Sequence, residues 1–136
     1  MVSSGQSQTK SVLVGASDVA YARALVHNLE SYGYVVAQCH DARGVLRLVS
    51  RYRYDVVVLD LELRDESGLE LVSYVRRQSP PPQLVLLFDA SRVDRALEGI
   101  RRGAFFYLPR SSQPSDVALV VQKALRASES EAQLRR

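Results

Sequence analysis

The stretch Asp55-Val-Val-Val-Leu-Asp60 decides the fold of this chain. Four consecutive apolar residues, three of them β-branched, lie between two aspartates, and this pattern predicts a strand that is buried on both faces. Such strands belong to parallel sheets that are covered by helices, and open α/β sheets place their chemistry at the carboxyl ends of the strands. Asp60 is therefore expected either to belong to a functional site at that rim or to cap the following turn.

Short apolar runs alternate with amphipathic segments on both sides of this stretch. Strands are predicted over 11–15, 34–38, 55–60, 83–88 and 104–108, each followed by a helix. Asp18 and Asp41 are the expected N-caps of the first and second helices. Ser91 or Asp89 is expected to cap the fourth helix, and Gly33 to end the first. The inner face of the fourth helix is predicted to consist of Val93, Ala96, Leu97 and Ile100.

Five strand–helix units in strict alternation predict an α/β fold, a doubly wound parallel (βα)5 sheet with helices on both faces. Right-handed crossovers leave few topologies, and the flavodoxin-like order 2-1-3-4-5 is one of the two common ones. Its switch point lies between the first and third strands, beside Asp60. We divide the chain into a disordered lead-in over 1–10, a folded domain over 11–126 and a helical extension or linker over 127–136.

Length and composition narrow the class of protein. A chain of 136 residues with 46% hydrophobic residues is suited to one soluble domain. Its apolar runs are too short for a membrane span, and no signal peptide begins it. The single cysteine, Cys39, excludes an internal disulfide and fits a reducing compartment. We therefore expect a cytoplasmic location and no membrane partner.

The net charge of +3 does not indicate nucleic-acid binding. Much of the basic excess lies in the pairs Arg76-Arg77, Arg101-Arg102 and Arg135-Arg136, which are predicted at helix ends. Cations are favourable there because the carbonyl end of the helix dipole is negative. A nucleic-acid interface needs basic residues that converge on one face, and the sequence shows no such pattern.

An enzymatic site is not evident either. The sequence has no Gly-rich phosphate loop and no cluster with metal-ligand spacing. His27 and His40 are the only histidines, and neither is paired by its spacing with a nucleophile. His27 is expected to face solvent on the first helix. We expect no enzymatic activity.

Several residues together carry a resemblance to a known family. They are the stretch 56–60, Gly68 eight residues further on, Gly103-Ala104, Tyr107, and Leu25, Leu29, Glu30 and Gly33. On these residues the chain resembles, over roughly 11–126, the receiver domain of bacterial two-component response regulators. The resemblance implies that Asp60 is a phosphoacceptor that takes its phosphoryl group from a histidine kinase with the help of Mg²⁺. It also implies that Tyr107 is the switch aromatic, which turns inward on phosphorylation.

The metal ligands that the resemblance implies are missing from the sequence. The family's acidic pair at the end of the first strand falls on Gly15-Ala16 or, with a shift of one residue, on Ala16-Ser17. Asp18 is the only acidic residue nearby, and we expect it to be occupied as a helix cap. Mg²⁺ prefers several oxygen ligands, and Asp60 alone would be a single ligand. No metal or other cofactor is therefore expected.

The phosphate-holding residues that the resemblance implies also differ. The family's Ser/Thr position is Phe88, and its Lys position is Arg110. We expect Phe88 to close the pocket with apolar bulk and to hold Tyr107 outward. Arg110 keeps a positive charge with a different geometry, and as a hypothesis it pairs with Asp60 and locks one conformation without any phosphate.

Two functions from the same resemblance remain open. The favoured one is a degenerate receiver, or pseudo-receiver, that acts as a protein-interaction module in signal transduction. Its partners would be a histidine kinase, an output domain or a second copy, bound through the face of the fourth helix, fifth strand and fifth helix. The alternative is a working phosphoacceptor with Asp60 as the site and Asp18 or Glu62 as substitute ligands for Mg²⁺.

Overall fold

Five strands and five helices alternate along the chain. The computed structural model describes residues 9–63 and 68–134, with side chains described up to residue 131. The strands are β1 (Ser11–Gly15), β2 (Val35–Cys39), β3 (Val56–Asp60), β4 (Gln83–Phe88) and β5 (Phe106–Pro109). The helices are α1 (Val19–Glu30), α2 (Ala42–Arg51), α3 (Gly68–Arg76), α4 (Val93–Arg101) and α5 (Pro114–Leu134).

The sheet is parallel and has the order β2-β1-β3-β4-β5, which confirms the predicted flavodoxin-like topology. β3 lies in the centre, between β1 and β4, and every residue of β3 and β4 is buried. The continuous apolar run of the opening stretch is therefore explained, because both faces of the central strands are covered.

Residues of β3 alternate between two hydrophobic clusters, one on each face of the sheet. Val57 and Leu59 belong to the cluster that contains the inner residues of α2, α3 and α4. Val56 and Val58 belong to the cluster that contains those of α1 and α5. This alternation follows from the two-residue period of a strand, and it leaves the last residue of β3, Asp60, at the rim of the sheet.

The first two helix caps are confirmed. The Oδ1 atom of Asp18 accepts a hydrogen bond from the backbone N–H of Tyr21 at 3.1 Å, and that of Asp41 accepts one from Gly44 at 2.8 Å. Gly33 has a φ of +88°, a left-handed conformation that glycine adopts without steric cost after a helix. His27 is exposed, as expected.

The predicted cap of α4 is wrong. The N-cap residue is Arg92, which makes no capping hydrogen bond through its side chain. Asp89 instead accepts hydrogen bonds from the backbone N–H and the hydroxyl of Ser91, at 3.0 and 2.8 Å. This local turn uses both predicted capping side chains before the helix begins.

The inner face of α4 also differs from the prediction. Val93 and Leu97 are 48% and 41% exposed, whereas Ala96 and Gly99 are buried. A Cβ atom on Gly99 would lie 2.2 Å from Cδ1 of Leu86 in β4. The helix approaches the sheet through its smallest residues; Ile100 packs against the core as predicted, whereas Val93 and Leu97 point toward solvent.

The boundaries of three strands are corrected as well, and β3 begins one residue later than the predicted 55–60. β2 is displaced by one residue from the predicted 34–38, and β5 begins two residues later than the predicted 104–108. The backbone N–H of Ala104 donates to the carbonyl of Gly99 at 3.1 Å. Ala104 is thus still tied to the end of α4, and pairing with β4 starts only after it.

The two ends of the described chain lie close together. The ammonium group of Lys10 is 3.7 Å from a carboxylate oxygen of Glu129 on α5, and its carbonyl accepts a hydrogen bond from Val35. α5 runs without a break through the predicted extension as far as Leu134. Most of the predicted lead-in, 1–8, and the pair at 135–136 lie outside the described residues.

The basic residues predicted at helix ends are partly tested. Arg76 and Arg101 lie in the last turns of α3 and α4, as predicted.

In the ranges that the structure describes, no helix combines the length and apolar character that a bilayer crossing requires.

Candidate functional site

Asp60 ends β3 at the carboxyl rim of the sheet, opposite Leu87 of β4. Its side chain is buried, and Asp60 as a whole is 3% exposed. One carboxylate oxygen, Oδ1, accepts a hydrogen bond from the backbone N–H of Glu62 at 2.9 Å. The other, Oδ2, accepts one from Nε of Arg110 at 3.1 Å and lies 3.0 Å from its Nη2. Both oxygens of Asp60 therefore have protein partners.

Arg110 is the residue that follows β5, and its side chain extends to Asp60. Its backbone N–H donates to the carbonyl of Phe88 at 2.8 Å, which extends the β4–β5 pairing by one step. This bond fixes the start of the side chain beside the rim, and the two guanidinium contacts with one oxygen form a charge-assisted pair. The pairing that was put forward as a hypothesis is present in the structure.

A cavity of about 400 Å³ lies beside this ion pair. Four of the candidate residues line it, namely Ala16, Asp18, Asp60 and Arg110, and the remaining lining residues are Tyr21, Leu87 and Ser111. The topology thus brings together residues that are up to 95 positions apart in the chain. The other candidates, Gly15, Ser17, Phe88 and Tyr107, are not among its lining residues.

Gly15 faces the opposite side of the sheet. A Cβ atom at this position would lie 2.8 Å from Cγ2 of Val45 and 3.6 Å from Cδ1 of Leu59, in the cluster beneath α2. Ala16 therefore lies on the cavity side, and Ser17 next to it is buried. The register Ala16-Ser17 is the one that flanks Asp60, and it contains no carboxylate.

This set of residues does not fit a Mg²⁺ ion. The carboxylate of Asp60 is paired with Arg110, and that of Asp18 caps the first turn of α1 through Tyr21. Among residues 9–63 and 68–134, no group of three or more His, Cys, Asp or Glu side chains could hold a metal. A hard divalent cation needs several oxygen ligands, and the two carboxylates that line the cavity already have protein partners, Asp60 at both oxygens and Asp18 at Oδ1.

Burial raises the pKa of the Asp60 carboxyl above its ordinary value of 3.8. The hydrogen bond from Glu62 and the positive charge of Arg110 act in the opposite direction but do not cancel the loss of solvation. The charged form of the Asp60 carboxyl is therefore less stable relative to its neutral form than it would be in water.

Phe88 and Tyr107 occupy positions that differ from the prediction. Phe88 is 5% exposed and belongs to the cluster beneath α2, α3 and α4, while its neighbour Leu87 lines the cavity. The predicted closure of the pocket by Phe88 is wrong, because consecutive strand residues face opposite sides.

Tyr107 is not held out in solvent. Its ring is half-buried and packs edge-on against Phe88, with the ring centroids 5.4 Å apart and the planes at 63°. The predicted outward position is corrected to this contact, whose geometry is favourable for two aromatic rings.

Three residues near the site make contacts that were not predicted from the sequence, and of these only Glu62 was a candidate, as a substitute ligand for Mg²⁺. The hydroxyl of Tyr21 donates to the carbonyl of Ser112 at 2.8 Å, which connects α1 to the loop after β5. Burial, followed by the charges of Asp60 and Asp116, raises the pKa of Tyr21. The spacing of Tyr21 from Asp18 could have indicated it. A residue three positions after an N-cap lies in the first turn of the helix, close to the capping side chain.

The other two residues form an ion pair behind Asp60. The carboxylate of Glu62 lies 3.1 Å from Nε of Arg95 in α4, and Nη2 of Arg95 donates to the carbonyl of Leu61 at 2.8 Å. α4 is thereby connected to the segment that follows β3. No local pattern joins residues so distant in the chain, so this pair could not be read from the sequence.

The comparisons with known proteins agree with this architecture. The family model of the response regulator receiver domain matches residues 12–122. The chain belongs to this family. The receiver domain is a signal-transduction module, so the resemblance on Asp60, Gly68 and Tyr107 is confirmed at the level of the family.

Curated relatives of this receiver domain are longer proteins. The chain is 30% identical over 131 residues to the alginate biosynthesis transcriptional regulatory protein AlgB of Pseudomonas putida, covering 96% of this chain and 29% of that protein. It therefore spans less than a third of the length of this relative.

Solved structures show the same fold. A CheY-like response regulator receiver domain protein from Methanospirillum hungatei superposes with a TM-score of 0.85 at 21% identity, covering 91% of this chain and 99% of that one. A response regulator from Burkholderia pseudomallei, solved with a phosphorylated aspartic acid, a calcium ion and citrate, gives a TM-score of 0.77 at 24% identity. It covers 93% of this chain and 75% of that one.

Proposed function

We propose that this receiver domain is a pseudo-receiver, a protein-interaction module in which Mg²⁺-dependent phosphorylation of Asp60 is impaired or absent. The observation that carries the proposal is the environment of the carboxylate. Both of its oxygens have protein partners, and the flanking residues Ala16 and Ser17 offer no carboxylate. The domain has no enzymatic activity and no cofactor under this proposal.

Electrostatics gives the physical reason. A phosphoryl group and the Asp60 carboxylate are both negative, so a cation must bring them together. The positive charge of Arg110 is already directed at Oδ2 of Asp60 at 3.0 Å. An incoming phosphoryl group would have to displace this pair without the carboxylates that would hold a metal in its place.

An exposed apolar face supports the interaction role. Val93 and Leu97 of α4, Phe106 of β5 and Leu119 of α5 are each between 41% and 48% exposed. Together these elements form one side of the domain, at the edge of the sheet that ends in β5. Large exposed apolar side chains grouped in this way are typical of protein-binding surfaces. We propose that this face binds a histidine kinase, an output domain or a second copy of the chain.

The longer relatives favour an output domain as one of these partners. AlgB is named as a transcriptional regulatory protein, and the matched part is 29% of its length. In a parent protein of that kind, this domain would control an output module through the same face in the cytoplasm, while the output module rather than this domain would contact DNA.

The alternative function is a working phosphoacceptor at Asp60. It is supported by the open cavity of about 400 Å³ beside the carboxylate and by the phosphorylated aspartic acid in the Burkholderia structure. In this chain the substitute ligands are otherwise engaged, since Asp18 caps α1 and Glu62 is paired with Arg95. We therefore favour the pseudo-receiver.

Treatment with a small-molecule phosphodonor separates the two functions. The chain is incubated with acetyl phosphate and Mg²⁺, and phosphorylation is measured by intact mass, with the Asp60→Asn variant as the control for labelling elsewhere. We expect no phosphorylated species of the wild type. A mass increase that Asp60→Asn abolishes would establish the alternative.

A variant that restores the missing residues provides the positive control. Ala16→Asp combined with Ser17→Asp returns two carboxylates to the rim beside Asp60. We expect the restored variant to gain Mg²⁺-dependent labelling. If wild type and restored variant are labelled equally, the missing carboxylates do not limit the reaction.

A further inference from the structure

Strand β2 forms an open edge of the sheet. Among residues 9–63 and 68–134, it pairs only with β1. The backbone N–H of Val35 donates to Lys10 at 2.9 Å, and the carbonyl of Cys39 accepts from Ala16 at 3.1 Å. In a parallel ladder, alternate residues bond to the same neighbour. The N–H and C=O groups of Val36 and Gln38 therefore point away from β1, toward the open edge.

A groove of about 360 Å³ lies along this edge. Its walls are largely apolar, and Val35 and Tyr52 beside it are 63% and 57% exposed. The lining comes from β2, from the end of α2 and from the residues that precede β3. An exposed strand edge beside an apolar groove is a place where a further strand can add to a sheet.

A stripe of arginines on α2 borders the groove. Arg43, Arg47 and Arg51 follow one another at intervals of four residues, and all three are exposed. With a rise of about 1.5 Å per residue, the stripe is roughly 12 Å long. On the helix surface it adjoins Gly44 and Leu48, of which Gly44 packs on Cys39 of β2 and Leu48 lines the groove.

The charge of this stripe is not balanced within the helix. α2 contains three arginines and no acidic residue, and like charges four residues apart repel one another. In the part of the chain that the structure describes, Arg47, Arg51 and the groove residue Arg53 form no ion pair. An anionic partner would relieve the mutual repulsion of Arg47 and Arg51.

We propose that the β2 edge and the arginine stripe bind an acidic, extended segment of a partner protein, which adds to the sheet beside β2. The segment pairs with the backbone of Val36 and Gln38 and places an apolar side chain in the groove. Its carboxylates face Arg47 and Arg51. Backbone pairing supplies affinity, while the groove and the charges supply specificity.

The edge itself favours a protein segment over a nucleic acid. It presents both N–H donors and C=O acceptors, and an extended peptide satisfies both kinds of group. A phosphodiester backbone offers only acceptors to such an edge, so the C=O groups of Val36 and Gln38 would stay unpaired. This surface lies at the opposite edge of the sheet from β5 and does not depend on the state of Asp60.

A displayed peptide library tests the proposal. Segments with glutamate at alternate positions and random residues between are selected against the full chain, with lysine-alternating segments as the charge-reversed control. The best glutamate peptide is then titrated into ¹⁵N-labelled protein. We expect shifted amide signals along β2 and slower hydrogen exchange of Val36 and Gln38. We also expect the peptide to bind about tenfold more weakly to Arg51→Glu, a loss of about 1.4 kcal/mol.

Lys123→Glu provides a matched charge reversal, because Lys123 is exposed on α5, away from this edge. It should leave peptide affinity unchanged. The proposal is overturned if no glutamate peptide is enriched, if Arg51→Glu binds as tightly as wild type, or if the shifted signals lie on α4 and β5. Tighter binding of random duplex DNA, with displacement of the peptide, would assign the stripe to nucleic acid and also overturn it.

Discussion

Asp55, immediately before β3, and Asp60, the last residue of β3, are the same kind of side chain in different roles. At the amino end, Oδ2 of Asp55 accepts a hydrogen bond from the backbone N–H of Ser11 at 2.8 Å, and its backbone N–H donates to the carbonyl of Ser11 at 2.9 Å. The carbonyl of Asp55 accepts from Gln83 at 3.0 Å. Asp55 thereby joins the starts of β1, β3 and β4.

At the carboxyl end, Asp60 turns its side chain into a cavity. Its partner Arg110 comes from beyond β5, a strand that does not pair with β3. Parallel strands diverge into loops at this rim, and the space between the loops is where such folds admit ligands. Asp55 thus holds neighbouring strands together, whereas Asp60 lies at the rim where folds of this kind admit ligands.

The largest effect is expected at the amino end. Asp55→Ala removes the acceptor of the Ser11 N–H and should lower the free energy of unfolding by about 1–3 kcal/mol. Urea denaturation measures the loss, and Asp55→Asn, which keeps one acceptor oxygen, should lose less. If both variants unfold at the wild-type midpoint, Asp55 does not hold the strands together.

Asp60→Asn should instead raise the free energy of unfolding. Because burial raises the pKa of Asp60, the fold holds its neutral form better than its charged form. The asparagine variant should therefore be more stable than wild type by about 1 kcal/mol at neutral pH. The difference should disappear as the pH falls through the raised pKa toward 3.8, where both side chains are neutral.

Urea denaturation at several pH values tests this sign. A variant that is less stable than wild type at neutral pH would mean that the pair with Arg110 outweighs the burial of the charge. The two ends of β3 would then both be stabilised by their carboxylates, and the contrast between them would be lost.

The smallest effect is expected for Arg110→Ala. The Arg110 side chain is 37% exposed, so the stability change should stay within about 1 kcal/mol. The pKa of Asp60 should rise further, because Arg110 holds it down. NMR titration of the Asp60 carboxyl measures this, and Arg101→Ala, on the outside of α4, should leave the titration unchanged.

The same variant tests whether the Asp60–Arg110 pair locks one conformation. If Arg110→Ala leaves both the Asp60 titration and partner binding unaltered, the lock is refuted. A loss of partner binding with an intact fold would connect the rim to the face of α4, β5 and α5.

Much of the fold followed from local patterns. The buried run before Asp60 predicted the central strand, and the caps at Asp18 and Asp41 were correct because a cap depends only on residues within one turn. The inner face of α4 and the start of β5 were misplaced, since the close contact of Gly99 with Leu86 is made between distant parts of the chain.

The sequence alone determined the family, the strand order and the identity of the residues at the rim, including the absence of a carboxylate at Ala16 and Ser17. The tertiary structure decided which of these residues meet. It turned Gly15 and Phe88 away from the cavity, brought Tyr21 and Arg110 to it, and left the edge of β2 open beside the arginines of α2. The physical reason is that the side of the sheet to which a strand residue points depends on the register of its strand with the neighbouring strands. Pairing between residues that are tens of positions apart sets that register.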